Sequence, residues 1–324
     1  MTMSLTTLAA APVKHPEREQ ASNMRKALIL LLVLVKIAYI AWYYVSGIGL
    51  NLGDTAQYVD AASADEFLSR SGGGIGFAYI ATLIFSNSVI RTVVELSTVL
   101  VLVALMRKLP SDGTAAIAVL VLLLPTNLAF MTVASKEVLV FLVLLVAMSA
   151  QAKFALPAYA LLALLKPTFV LAGVIPYVRR AAGLTLYFAF TVVAMGFVLA
   201  YVRIEKFYTT SFYSYWTHFR DGGLSYGDEG IFPITPVLRT IGLSDLSGST
   251  AGVAIGVSLV TCHAILVAVL VKIHGGPRGL LTYLVVLSAM VPYSIFNLGS
   301  AARYQAPLVC AVLMIELIRS PRSE

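Results

Sequence analysis

The run "ALILLLVLVKIAYIAWYYVSG", residues 27–47, decides the fold class. Its twenty-one residues carry a single charge, Lys36. As a helix it reaches ~30 Å, the thickness of the hydrocarbon core of a bilayer. Nine further apolar segments follow, at about 90–107, 114–130, 137–152, 154–165, 167–178, 182–202, 251–273, 279–297 and 304–319. Helix is the only state open to them, because backbone groups in lipid must be satisfied within the segment.

Composition points the same way. Of 324 residues, 59% are hydrophobic and only 12% charged. A soluble chain carries roughly a quarter charged residues. Mean hydropathy is +0.88. The expected fold is therefore all-α: a polytopic transmembrane helical bundle of about ten segments, forming one membrane domain over residues 27–319. Residues 1–26 and 320–324 read as cytoplasmic tails, the first lacking the apolar core and cleavage site of a signal peptide. Residues 48–88 and 203–250 read as outer loops. Within the first, "IGFAYIATLIFS" (75–86) is too short to span and suits an interfacial helix. Cys262 and Cys310 lie inside apolar segments and read as buried small hydrophobes.

Charge sets the orientation. With the N-terminus in the cytoplasm, alternation gathers Arg25, Lys26, Arg107, Lys108, Lys153, Arg179, Arg180, Lys272, Arg278 and Arg319 on the cytoplasmic side. Asp54, Asp60, Glu137, Glu205, Asp221, Asp228 and Asp245 fall on the other side, as the positive-inside rule expects. The net charge of +7 is thus topological. No basic patch interleaved with aromatics exists, and no nucleic-acid partner is expected.

Segments 154–165 and 167–178 are short, ~18 Å each as helices. They form either a hairpin with Lys166 at its tip or one helix kinked at Pro167; the hairpin keeps the charge alternation. Lys36 sits in the middle of its segment, where an ionisable group needs a partner inside the bundle. Glu95 is the expected partner, although an ion pair with Arg91 one turn earlier is its local alternative.

The polar residues that orientation brings to the outer face are candidates for chemistry. Asp54, Tyr58 and Asp60 come from the first loop; Lys136, Glu137, Lys166, Arg303 and Tyr304 come from helix tips. Cations facing carboxylates suit reaction on a phosphorylated, lipid-anchored substrate. Each has a plainer reading too. Asp54 is also placed to cap a helix, Lys136 and Arg303 to anchor an interface, and Lys166 to snorkel. The second loop is dense in aromatics around Trp216, which suit either sugar faces or an interfacial belt, and it adds His218 and Arg220 as substrate contacts. His263 and His274 read as structural. Asp228–Glu229, in a Gly-flanked turn, offers two ligands to a divalent cation but lacks a spaced third, so no metal site or other cofactor is expected, with a divalent cation there as the alternative.

The stretches "GDTAQY" (53–58), "LLPTNLAFMTVASKEVLVFL" (123–142), "ALLALLKPTFVLAGVIPY" (160–177) and "GSAARYQAPLVCAVLMIEL" (299–317) carry a resemblance. Together they resemble the GT-C superfamily of polyprenyl-phosphate-dependent glycosyltransferases; the last, with its Arg-Tyr-x-x-Pro pattern, also resembles related surface-polysaccharide polymerases. The resemblance implies a lipid-linked sugar donor used at the outer face of a bacterial inner membrane, with a glycan or glycolipid acceptor. It implies Asp54 as catalytic base, and Lys166 and Arg303 at the donor phosphate, with Lys136 beside them. The chain departs from the family in having a lone Asp54 rather than an acidic pair, and in lacking a large C-terminal soluble domain. An O-antigen-type polymerase relying on Arg203, Arg220 and Arg239 is the alternative enzyme. A lipid-linked glycan flippase or transporter is the alternative of another class, drawing on Lys36 and on the break at Lys166–Pro167.

Overall fold

The computed structural model describes residues 16–46, 88–133, 135–149, 152–166, 169–175, 178, 181–203, 238, 240–243, 250–291 and 298–320. Among these the regular structure is entirely helical. The first part of the chain forms α1 (Pro16–Ser46), α2 (Ser88–Lys108), α3 (Asp112–Leu123), α4 (Pro125–Phe130) and α5 (Lys136–Ser149). The rest forms α6 (Ala152–Leu165), α7 (Phe169–Val174), α8 (Ala181–Arg203), α9 (Thr250–His274), α10 (Gly276–Met290) and α11 (Leu298–Arg319). Three stretches are long and apolar enough to cross a bilayer: Asn23–Ser46, Val89–Lys108 and Gly252–His274. Helices of that kind mark a membrane protein.

The expected segments fall on these helices, with one correction. Segment 114–130 is two helices rather than one. Leu124, preceding Pro125, is pushed out of the helical region to φ −56°, ψ 141°, because the proline ring crowds the residue before it. Pro125 then starts α4, where its missing N–H costs nothing. The start of α3 is set locally as well: Ser111 Oγ accepts from Thr114 N–H, while Thr114 Oγ1 accepts from Ser111 N–H.

The hub is α11. It packs against α5, α9, α4, α3, α10 and α2, and residues 305–317 are buried without interruption. Such a helix is apolar on all sides because every side meets protein. The first helix is its opposite. Leu32, Lys36 and Tyr43 face inward, while Leu30, Leu34 and Val45 stay exposed, as a lipid-facing surface would. Here the expected partner of Lys36 is corrected. Its Nζ donates to Met131 O (3.1 Å) and Thr132 Oγ1 (2.8 Å), while Glu95 Oε1 accepts from Tyr44 OH (2.8 Å).

Of the two geometries open at Lys166, the chain takes the hairpin. Tyr159 OH donates to Gly173 O at 2.6 Å. In one continuous helix those residues would stand roughly 20 Å apart. Gly173 is required there, since a Cβ would lie 2.8 Å from the Tyr159 ring. Cys262 and Cys310 are buried free thiols, as expected. The proposed outer loops and the interfacial stretch 75–86 lie outside the described residues, apart from Ser88, Leu238, residues 240–243, the last residue of α8 and the first of α9.

Candidate functional site

The tip of the α6–α7 hairpin, the first turn of α5 and the second turn of α11 converge. Ser135 Oγ accepts from Val138 N–H (3.3 Å), capping α5 and setting Glu137 in its first turn, where the helix dipole favours an anion. Arg303 Nε donates to Glu137 Oε1 at 2.7 Å. This pair joins residues 166 positions apart, with the Glu137 side chain 1% exposed and that of Arg303 12%. Removing one partner of a buried pair typically costs ~3–5 kcal/mol, because the other charge is stranded.

Lys166 follows the last residue of α6 and is 5% exposed. Its Nζ lies 3.3 Å from the centroid of the Tyr304 ring, and Arg303 Cζ lies 5.4 Å from the same centroid. Two cations, one from the hairpin tip and one from α11, thus meet one aromatic ring, an arrangement worth ~2 kcal/mol or more when desolvated. Burial overturns the snorkelling reading of Lys166, which required its head to reach water. Arg303 is likewise a partner in a buried pair rather than a simple interface anchor.

A small cavity lies beside this cluster, lined by Tyr43, Phe130, Val133, Ser135, Glu137 and Arg303. Tyr43 fixes its level. It stands eighteen positions after Arg25 on α1. That is roughly 27 Å along a helix, close to one hydrocarbon thickness from the basic end of the bundle.

The next residue of α11 belongs to a second network. Gln305 Nε2 donates to Thr240 O (2.6 Å), and Gln305 Oε1 and Thr240 O both lie at His263 Nε2, at 2.7 and 3.0 Å. Two acceptors around Nε2 put the ring proton there, so Nδ1 accepts from Tyr283 OH at 3.0 Å. Thr240 is fully buried. Gly242 allows that approach: its φ is +82°, and a Cβ would come within 2.5 Å of Gly256 O. Residues 240–242 are therefore docked between α9 and α11. His263 thereby ties α9 to α10 and α11.

Three of the candidate residues, Lys166, Arg303 and Tyr304, are brought into one cluster. Lys136 begins α5 next to Glu137. Asp54, Tyr58, Asp60, Trp216, His218 and Arg220 lie outside the described residues. Glu137 and Gln305 gain roles that the sequence did not assign. Glu137 had the signal of an acid beside Lys136 at a helix start, but nothing that named Arg303 as its partner. Chemically, the cluster can hold an anion's oxygens with fixed cations in a place shielded from water, where such charges act most strongly. No family model, no curated protein and no solved structure matches the chain.

Proposed function

We propose that the chain is a multi-pass membrane glycosyltransferase of about ten membrane segments, with both termini cytoplasmic, in a bacterial inner membrane. It moves a sugar from a polyprenyl-phosphate-linked donor to a glycan or glycolipid at the outer face. The observation that carries this reading is the convergence of Lys166 and Arg303 on the Tyr304 ring, far along the bundle from its basic end. Asp54 takes the proton of the acceptor hydroxyl as its oxygen bonds to the sugar's anomeric carbon. The anomeric carbon–oxygen bond to the carrier breaks, and the phosphate leaves with the electron pair. Lys166 and Arg303, with Lys136 beside them, stabilise that developing charge. Tyr58, Asp60, Trp216, His218, Arg220 and Tyr304 hold the sugars. No metal is required by this scheme.

The transporter reading draws on Lys36, buried in the middle of a span. Its bonds to Met131 O and Thr132 Oγ1 tie it to the α4–α5 connection, which favours a structural role. One experiment separates the classes. Purified protein in vesicles receives radiolabelled lipid-linked glycans, with and without a membrane acceptor fraction. A transferase frees the carrier phosphate only when acceptor is present; movement of intact donor between leaflets without bond cleavage would overturn the proposal.

A further inference from the structure

At the end of the bundle remote from Arg303, a groove of about 740 Å³ opens between α1 and α2. Cavities that hold small ligands typically measure ~300–1,000 Å³. Its make-up changes with depth in the same sense on both helices. On α1 the lining begins with Arg25 and Lys26, continues one turn on with Ile29 and reaches Val33 two turns on. On α2 Arg107 stands at the rim, and Val103 lies one turn deeper. The groove therefore has a cationic mouth over an apolar wall. Lipid-facing exposure of Leu30 and Leu34 continues that wall onto the outside of α1.

The mouth is also partly built. Arg25 Nε donates to Asp112 Oδ1 at 3.1 Å, which holds the guanidinium over the rim. Lys26 and Arg107 are exposed and make no hydrogen bond or ion pair among the described residues. Three cations against one carboxylate leave the rim positive. Basic charges placed only to orient the helices need neither a groove between two helices nor an apolar wall beneath them. A free phosphate would gain nothing from the wall, and an uncharged lipid nothing from the rim.

We infer that the α1–α2 groove binds an anionic phospholipid of the leaflet at the basic end, with its phosphodiester on Lys26, Arg107 and Arg25 and an acyl chain along Ile29, Val33 and Val103. The inference rests on the bilayer placement proposed above and is independent of sugar transfer. A basic residue beside an anionic headgroup contributes roughly fivefold in affinity at low salt.

Native mass spectrometry of the full-length protein in detergent tests it, with dioleoyl phosphatidylglycerol and dioleoyl phosphatidylcholine titrated separately. Wild type should retain the anionic lipid at least ~10-fold more tightly, and Lys26→Gln/Arg107→Gln should lose most of that preference. Both positions are exposed, so the thermal unfolding midpoint should hold. A second variant, Val33→Trp, keeps every charge but fills the wall, and should also release the lipid. Equal retention of the two lipids by wild type overturns the inference, as does unchanged preference in both variants. Displacement of the lipid by inorganic phosphate at millimolar concentration would overturn it in favour of a free-anion site.

Discussion

The two ends of α11 use charge differently. Near its start, Arg303 meets a carboxylate on α5 and shares the Tyr304 ring with Lys166 from the α6–α7 hairpin. At its finish, Arg319 donates to Met148 O at 2.7 Å, in the last turn of the same α5, and Arg278 donates to Val178 O at 3.3 Å. Those carbonyls lie at or beyond helix ends, so the arginines there close off orphan acceptors. Glu316 takes His274 at 2.8 Å, which completes that end locally. The parallel pair α5–α11 is therefore clasped twice, by a carboxylate near its start and by a main-chain carbonyl at its finish. Arg278 and Arg319 meet main-chain carbonyls, whereas Arg303 and Lys166 meet a carboxylate and a ring, and it is there that the proposal puts the donor phosphate.

The largest effect that would break this contrast concerns Asp54, which the proposal joins to the Arg303 end. Asp54→Asn keeps a good helix cap and removes the base. Transfer of radiolabelled sugar should fall ~100- to 10,000-fold while membrane insertion is unchanged. Full turnover would reduce Asp54 to a cap and shift the assignment to the polymerase reading, with its loop arginines.

Next in size is the Glu137–Arg303 clasp itself. Glu137→Ala strands Arg303 in a buried position and should cost ~3–5 kcal/mol, read as a lowered unfolding midpoint in detergent. The double variant Glu137→Ala/Arg303→Met should recover much of that stability yet remain inactive. If Arg303→Met alone leaves transfer intact, the pair is only a clasp, and the two ends are alike.

Most of the helix positions were legible from apolar runs and charge alternation. Arg107–Lys108 ended α2, and Lys166–Pro167 marked the hairpin tip. Pro125 carried the break between α3 and α4, but an apolar run on either side hid it. The pairings were not legible, for a physical reason. A helix such as α11 is apolar all round, so no periodicity says which side meets which neighbour. Nothing local to Lys36 distinguishes Glu95 from a carbonyl at Met131, and nothing local to Glu137 points to Arg303. The docking of Thr240 against His263 and Gln305 was hidden for the same reason. Orientation brought Lys166, Arg303 and Tyr304 to one level; only packing joins them.

Lys166, over the Tyr304 ring, sharpens the contrast. Lys166→Met keeps most of the bulk and loses the charge, so transfer should fall roughly 100-fold, the scale of losing one preorganised electrostatic contact. Lys166→Arg should retain part of the activity, since charge survives while geometry changes. The decline should be steepest at limiting donor if the ammonium also binds the ground-state phosphate. Normal turnover of Lys166→Met at limiting donor would make the cation–π contact purely structural.

The smallest expected effect lies at the other end. Arg319→Gln removes the charge facing Met148 O, yet an amide can still donate to a carbonyl, and α11 stays packed on α5 through its buried length. A cation at a helix C-terminus contributes about 0.3–1 kcal/mol, so the unfolding midpoint should drop only slightly. Transfer at saturating donor should be unchanged, because Arg319 stands sixteen positions from Arg303. That is roughly 24 Å along the helix, too far for Arg319 to touch a phosphate held at Arg303. A deep loss of transfer in Arg319→Gln, with stability preserved, would mean that the basic end takes part in the reaction. The division of labour along α11, and with it the placement of the site, would then be wrong.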